Sequence, residues 1–167
     1  MVGEKEKLIE SQLPIIGYIL ANYERFGEDA LKVASDYFYG LGKFMGRSIK
    51  ERMGIVESDA NAVARVMNAI LEEVIGIERV EGAPEPMRVE GDRVVGENAG
   101  FCPIMEAVKI LNAPWDIVCR NYSWRWFEGL AAGVNPDVTM EVPKSRIWGQ
   151  RRCLHIIKVP KRKAESR

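Results

Sequence analysis

The feature that most constrains this chain is a change of hydrophobic period at Gly76. Before that glycine, apolar residues recur at steps of three and four, the spacing of one helix face. After it, short β-rich runs bounded by turn residues interleave with two further helical stretches. Helices, then a hairpin, helices and a second hairpin imply an α+β domain with an antiparallel sheet, about five helices on four to five strands. At 167 residues one domain is expected, large enough for a single core. It divides into a helical part (residues 1–75), a hairpin–helices–hairpin part (76–159) and a basic tail (160–167).

In the helical part, Leu8, Ile9, Leu13, Ile16, Leu20 and Tyr23 predict a helix over residues 4–25. Pro14 is expected to kink or split it, since proline has no N–H for the helical ladder. Gly27 ends this helix, and Glu28 and Asp29 put negative charge at the positive end of a second, running to about Met53. Gly40, Gly42 and Gly46 fall inside the second helix, where each costs up to about 1 kcal/mol against Ala. Either a closely packed neighbouring backbone or a ligand touching bare backbone is expected there. Ser58-Asp59 caps a third helix over residues 60–74.

Residues 77–80 read as a short strand. Met87 to Glu90 and Arg93 to Val95 form a hairpin across Gly91-Asp92. Cys102-Pro103 opens a fourth helix over 104–111, with proline where its missing N–H is harmless. Pro114 starts a fifth, reaching Leu130 or Ala132. Gly133-Val134-Asn135-Pro136 reads as a turn into a second antiparallel hairpin, residues 137–147 and 151–159.

All three cysteines and the only histidine lie between Phe101 and Ile157. Cys153 and His155 are two apart on a strand, so both leave the same sheet face, and Ile157 continues that face towards the core. Cys119 lies on the aromatic fifth helix, and Cys102 at the start of the fourth. Three readings are open. Cys102, Cys119, Cys153 and His155 suit tetrahedral zinc as a donor set, with Cys119, Cys153 and His155 as its minimum, though no C-x-x-C pair is present. Cys102 or Cys119 could act as a nucleophile with His155 as base, a thiol at a helix N-terminus being the better placed. Otherwise the three thiols and the histidine are simply core residues, reduced and metal-free, and no cofactor is expected. Trp115, Trp124, Trp126 and Trp148 could pack the core or line a pocket for a flat organic ligand. Arg120, Arg125 or Arg146 could offer a fork for a carboxylate.

The chain carries 24 basic and 24 acidic residues, so no global attraction to nucleic acid is expected. No apolar run approaches the roughly 20 residues that cross a bilayer, so no membrane partner is expected. An odd cysteine count without a secretion signal points to a reducing cytoplasm.

Several stretches resemble the L-2-amino-thiazoline-4-carboxylic acid hydrolases: Cys102-Pro-x-x-Glu-Ala107, Leu111 to Pro114, Cys119, Asn135-Pro136, Gly149-x-x-x-Cys153 and the helix start at residues 25–30. The resemblance spans about four-fifths of the chain. It implies a hydrolase acting on a carbon–nitrogen or carbon–sulfur centre of a small carboxylated heterocycle. An Asp that often follows the helix cysteine by three in that family is Tyr122 here. The closing hairpin also resembles 4-vinyl reductase domains, small-molecule sensors that pair, which implies a homodimer with residues 13–20 as the candidate contact. Some of those bind zinc through a helix cysteine, a Glu, a Cys and a final Cys. Cys119 and Cys153 match the outer two, while Val142 and Ser145 stand at the middle two. The functions carried forward are a small-molecule-binding domain with its pocket between the Trp-rich helix and the last hairpin, a cysteine-dependent hydrolase, and a structural or adaptor protein.

Overall fold

The structure, a computed structural model, describes residues 3–72 and 81–161. Two long helices, α1 (Glu4–Phe26) and α2 (Glu28–Arg52), are joined by Gly27 alone. Its φ of 65° and ψ of −147° strain any side chain, so the reversal calls for glycine. α1 runs through Pro14 and is not split there. Pro14 and Glu10, whose carbonyl loses its helical donor, are both exposed, so water can serve that carbonyl.

Gly54, with φ 65°, turns the chain towards α3 (Ala60–Ile70), whose first turn is capped by the Asp59 carboxylate accepting from Ala62 N–H at 2.9 Å. Val63, Val66, Met67 and Ile70 of α3 are fully buried against Val94, Leu130 and Ile157. The expected strand at 77–80, the expected helix end at Val74 and the tail beyond Lys161 lie outside the described residues.

Strands β1 (Arg88–Glu90) and β2 (Arg93–Asn98) pair across Gly91-Asp92, with Gly91 at φ 66°. Helix α4 (Pro103–Ile110) follows, then α5 (Trp115–Val118), a π-helical turn at Cys119–Ser123, and α6 (Trp124–Val134), the last three forming one continuous helix. The sheet closes with β3 (Thr139–Lys144), a 3-10 turn at Arg146–Trp148, and β4 (Cys153–Lys158). Its order is β1-β2-β4-β3, antiparallel throughout, with a bulge between Glu141 and Lys144. Five helices on a four-stranded antiparallel sheet make this an α+β fold among the described residues. No described helix is long and apolar enough to cross a membrane.

Gly133 and Val134 belong to α6 and not to a turn; the helix ends at Asn135. Packing explains the difference. Gly42 and Gly46 of α2 face Gly129 and Gly133 of α6, and a Cβ at any of the four would collide with backbone atoms of the opposite helix. Four glycines let the two backbones touch, so Gly133 is needed inside a helix despite its poor propensity. Asn135, with no exposed surface, then ties three segments together. Its amide donates to Ser58 O at 2.7 Å and Pro160 O at 3.1 Å, and its oxygen accepts from Asp137 N at 3.0 Å.

Gly46→Ala should therefore destabilise the fold by about 2–4 kcal/mol, because the obstructing atoms are backbone and cannot step aside. Gly17→Ala in α1, where a Cβ meets nothing within 4 Å, should be neutral or slightly stabilising. Urea unfolding of the two variants checks the contrast.

Candidate functional site

A cavity of about 280 Å³ lies between the helical layer and the sheet. Strand alternation puts Cys153 and His155 on its sheet side, two residues before the fully buried Ile157. Cys102, the N-cap residue of α4, closes one end. The π turn supplies Cys119, Tyr122 and Ser123, and α6 supplies Trp124, Trp126 and Phe127. The helical half contributes Gln12 and Ile15 from α1 and Phe38 and Leu41 from α2. All three cysteines and the one histidine thus line one cavity, from different sides of it.

The π turn is what the sequence conceals. Its closing bond runs from Trp124 N–H to Cys119 O, one residue longer than an α-helical bond. The extra residue rotates α6 relative to α5, and such turns recur at functional sites. The apolar spacing of residues 115–134 fits an uninterrupted helix nearly as well, so periodicity alone gives no signal for it. The helical spacing of α2 makes Phe38 and Leu41 core-facing positions but not cavity-lining ones, and Ile15 falls outside the apolar spacing of the first helix.

Polar contacts in the wall are few. Tyr122 donates its hydroxyl to Gln12 Oε1 at 2.6 Å, and its ring meets Phe38 at 4.5 Å. His155 stacks on Phe127 at 5.4 Å, and its Nε2 is buried with no hydrogen-bond partner. No hydrogen bond joins His155 to a cysteine. The Cys153 sulfur accepts from Arg146 N–H at 3.3 Å and lies 3.7 Å from Ser145 Oγ.

Burial fixes the charge states. Desolvation pushes the Cys102 thiol up, as does Cys153; the Met105 and Ile104 N–H groups and Arg146 offset this in part. Desolvation also raises Cys119 to about 12, with smaller contributions from Cys102, Cys153 and Asp116, and Tyr122 to about 12. The same cause lowers His155 to about 4. Cys102 and His155 keep some accessible surface, but that surface faces the cavity and not bulk water, which reconciles partial exposure with strong desolvation. At neutral pH these four groups are all uncharged.

The three arginines lie outside this wall. Arg120 pairs with Asp116 at 2.5 Å and covers the rings of Trp124 and Trp148 at 5.5 and 5.7 Å. Arg125 pairs with Glu128 and lies over Tyr39 at 4.7 Å. Arg146 donates through Nη1 to Gly100 O at 2.6 Å. The expected carboxylate fork is not assembled, because each guanidinium is held by groups of its own outside the cavity. Among the described residues no three His, Cys, Asp or Glu side chains form a group that could hold a metal ion. Cys119, Cys153 and His155 share the cavity without converging on a point.

No protein-family model matches the chain, and no curated protein matches its sequence.

Because the His155 pKa is about 6.5 when exposed and about 4 in the fold, the unfolded chain binds the proton first. Stability is full above about 6.5 and is lost as pH falls towards 4, by at most about 3 kcal/mol. Urea midpoints across this window should fall in the wild type and fall markedly less in His155→Gln. An equal fall in both would assign the titration to another group.

Proposed function

We propose that this domain binds a small, neutral, largely apolar molecule in the cavity between α2, the π turn, α6 and the sheet. The observation that carries the reading is the cavity itself. Protein interiors pack like organic crystals, with few voids larger than a water molecule. A volume of about 280 Å³ is nearly twice the roughly 150 Å³ of an engineered core cavity that takes up benzene. Aromatic rings on several sides suit a flat ligand. Uncharged thiols, an uncharged imidazole and the outward arginines favour a neutral one, because a buried unpaired charge would cost several kcal/mol.

Cysteine chemistry is the second reading, and it rests on Cys153, whose sulfur receives the Arg146 N–H. Against a cysteine–histidine hydrolase stands the lack of any hydrogen bond between His155 and a thiol. Zinc finds no ready ligand set, and the adaptor reading leaves the cavity without a purpose.

Native mass spectrometry of gently purified protein should reveal a non-covalent adduct of roughly 150–250 Da, the mass such a cavity accommodates. Emptied protein should take up indole or naphthalene with quenching of tryptophan fluorescence and a Kd on the order of 10–100 μM. Cys119→Leu, which pushes bulk into the cavity, should abolish both signals. Bare protein that takes up neither probe would sink the reading, and a covalent adduct on Cys153 would favour the second.

A further inference from the structure

Cys102 and Cys153 are far apart in the chain, yet two sets of contacts draw them towards one another along the cavity lining. β2 and β4 pair so that Asn98 stands opposite Cys153. The chain then doubles back over Asn98. Its side-chain oxygen accepts from Gly100 N–H at 3.0 Å and its amide donates to Phe101 O at 3.2 Å, which returns Cys102 towards the start of β4. Arg146 ties the same two places together. Its backbone N–H donates to the Cys153 sulfur at 3.3 Å, and its guanidinium donates to Gly100 O at 2.6 Å, two residues before Cys102. Both cysteines are reduced and both keep accessible surface. Cys119 shares the cavity but sits inside the continuous helix of α5, the π turn and α6, where its backbone is fixed. Cys102 is instead the N-cap of α4 and Cys153 the first residue of β4. Element ends can shift to meet the narrow geometry of an S–S bond.

We propose that Cys102 and Cys153 form a reversible redox pair, closed to a disulfide by hydrogen peroxide that enters the cavity. Burial raises the Cys102 and Cys119 thiols, which makes them the weaker nucleophiles, so attack on the peroxide falls to Cys153. The Cys153 sulfur takes one peroxide oxygen and the O–O bond breaks. Cys153 becomes a sulfenic acid, and the second oxygen leaves as water. The Cys102 sulfur then attacks the sulfenic sulfur. The S–O bond breaks, the S–S bond forms, and a second water leaves with the Cys102 proton. Two thiols have lost two electrons and one peroxide has become two waters. A dithiol reductant reverses the step by exchange. The bridge pins the loop before α4 to β4 at the end of the cavity that Cys102 closes.

Peptide mapping tests this without reference to any ligand. Trypsin places the three cysteines in separate peptides, residues 94–109, 110–120 and 153–158. After a few equivalents of hydrogen peroxide the intact chain should lose about 2 Da, and its alkylatable thiols should fall from three to one. The unreduced digest should join 94–109 to 153–158 and leave 110–120 free, and dithiothreitol should restore all three thiols. Cys119→Ser should keep the link. Cys102→Ser should instead hold Cys153 as a sulfenic acid that dimedone traps. A link through 110–120, a bridge between two chains, oxidation that runs to single sulfinic acids, or no change in mass overturns the proposal.

Discussion

The backbone contact between α2 and α6 is the constraint on which the rest depends. Gly42 and Gly46 against Gly129 and Gly133 leave no side chain between the helices, so their separation is set by main-chain atoms. Phe38 and Leu41 precede Gly42, and Trp126 and Phe127 precede Gly129; all four line the cavity. The cavity therefore begins where the glycine contact stops. The π turn, immediately before α6, adds Cys119, Tyr122 and Ser123 to the same cavity. Close packing and open space are two consequences of one crossing.

Desolvation then decides what kind of space it is. Cys102, Cys119, Tyr122 and His155 are held neutral by burial, and a charged group at the edge is held by partners of its own. Glu97 illustrates the second case. It lines the cavity's edge, yet its carboxylate is paired with Arg152 at 2.6 Å and Arg88 at 3.0 Å, which keeps it below the usual carboxylate range. Such exposed pairs contribute little stability. Their consequence here is that the charge of Glu97 stays at the rim.

Much of this was legible in the sequence. The change of period at Gly76 separated helical from hairpin regions, and strand parity put Cys153 and His155 on one face. Clustered chemistry between Phe101 and Ile157 located the cavity wall before its depth could be known. Spacing, however, says which way a residue points and not what stands opposite. The same glycine signal at positions 40, 42 and 46 proved to be two residues under α6 and one facing outward. Arg120, Arg125 and Arg146 read as a possible carboxylate fork, but Asp116, Glu128 and Gly100 hold them outside the cavity. Gly133 looked like a turn because propensity is local, whereas its reason lies far earlier in the chain, in α2.

The inner cavity and the outer groove along α1 and α2 meet at three residues. Ile15, Phe38 and Leu41 line the inner cavity and also the outer groove, so one layer of side chains separates a bound molecule from the helix face. Phe38 has ring contacts on both sides, with Tyr122 at 4.5 Å inward and Tyr37 at 5.2 Å outward. Any binding at the outer face that shifts the rotamers of this layer is coupled to occupancy of the cavity, and by the same factor in both directions. A shared layer this thin, built around an aromatic ring, is the shortest route by which occupancy of the cavity could reach the surface.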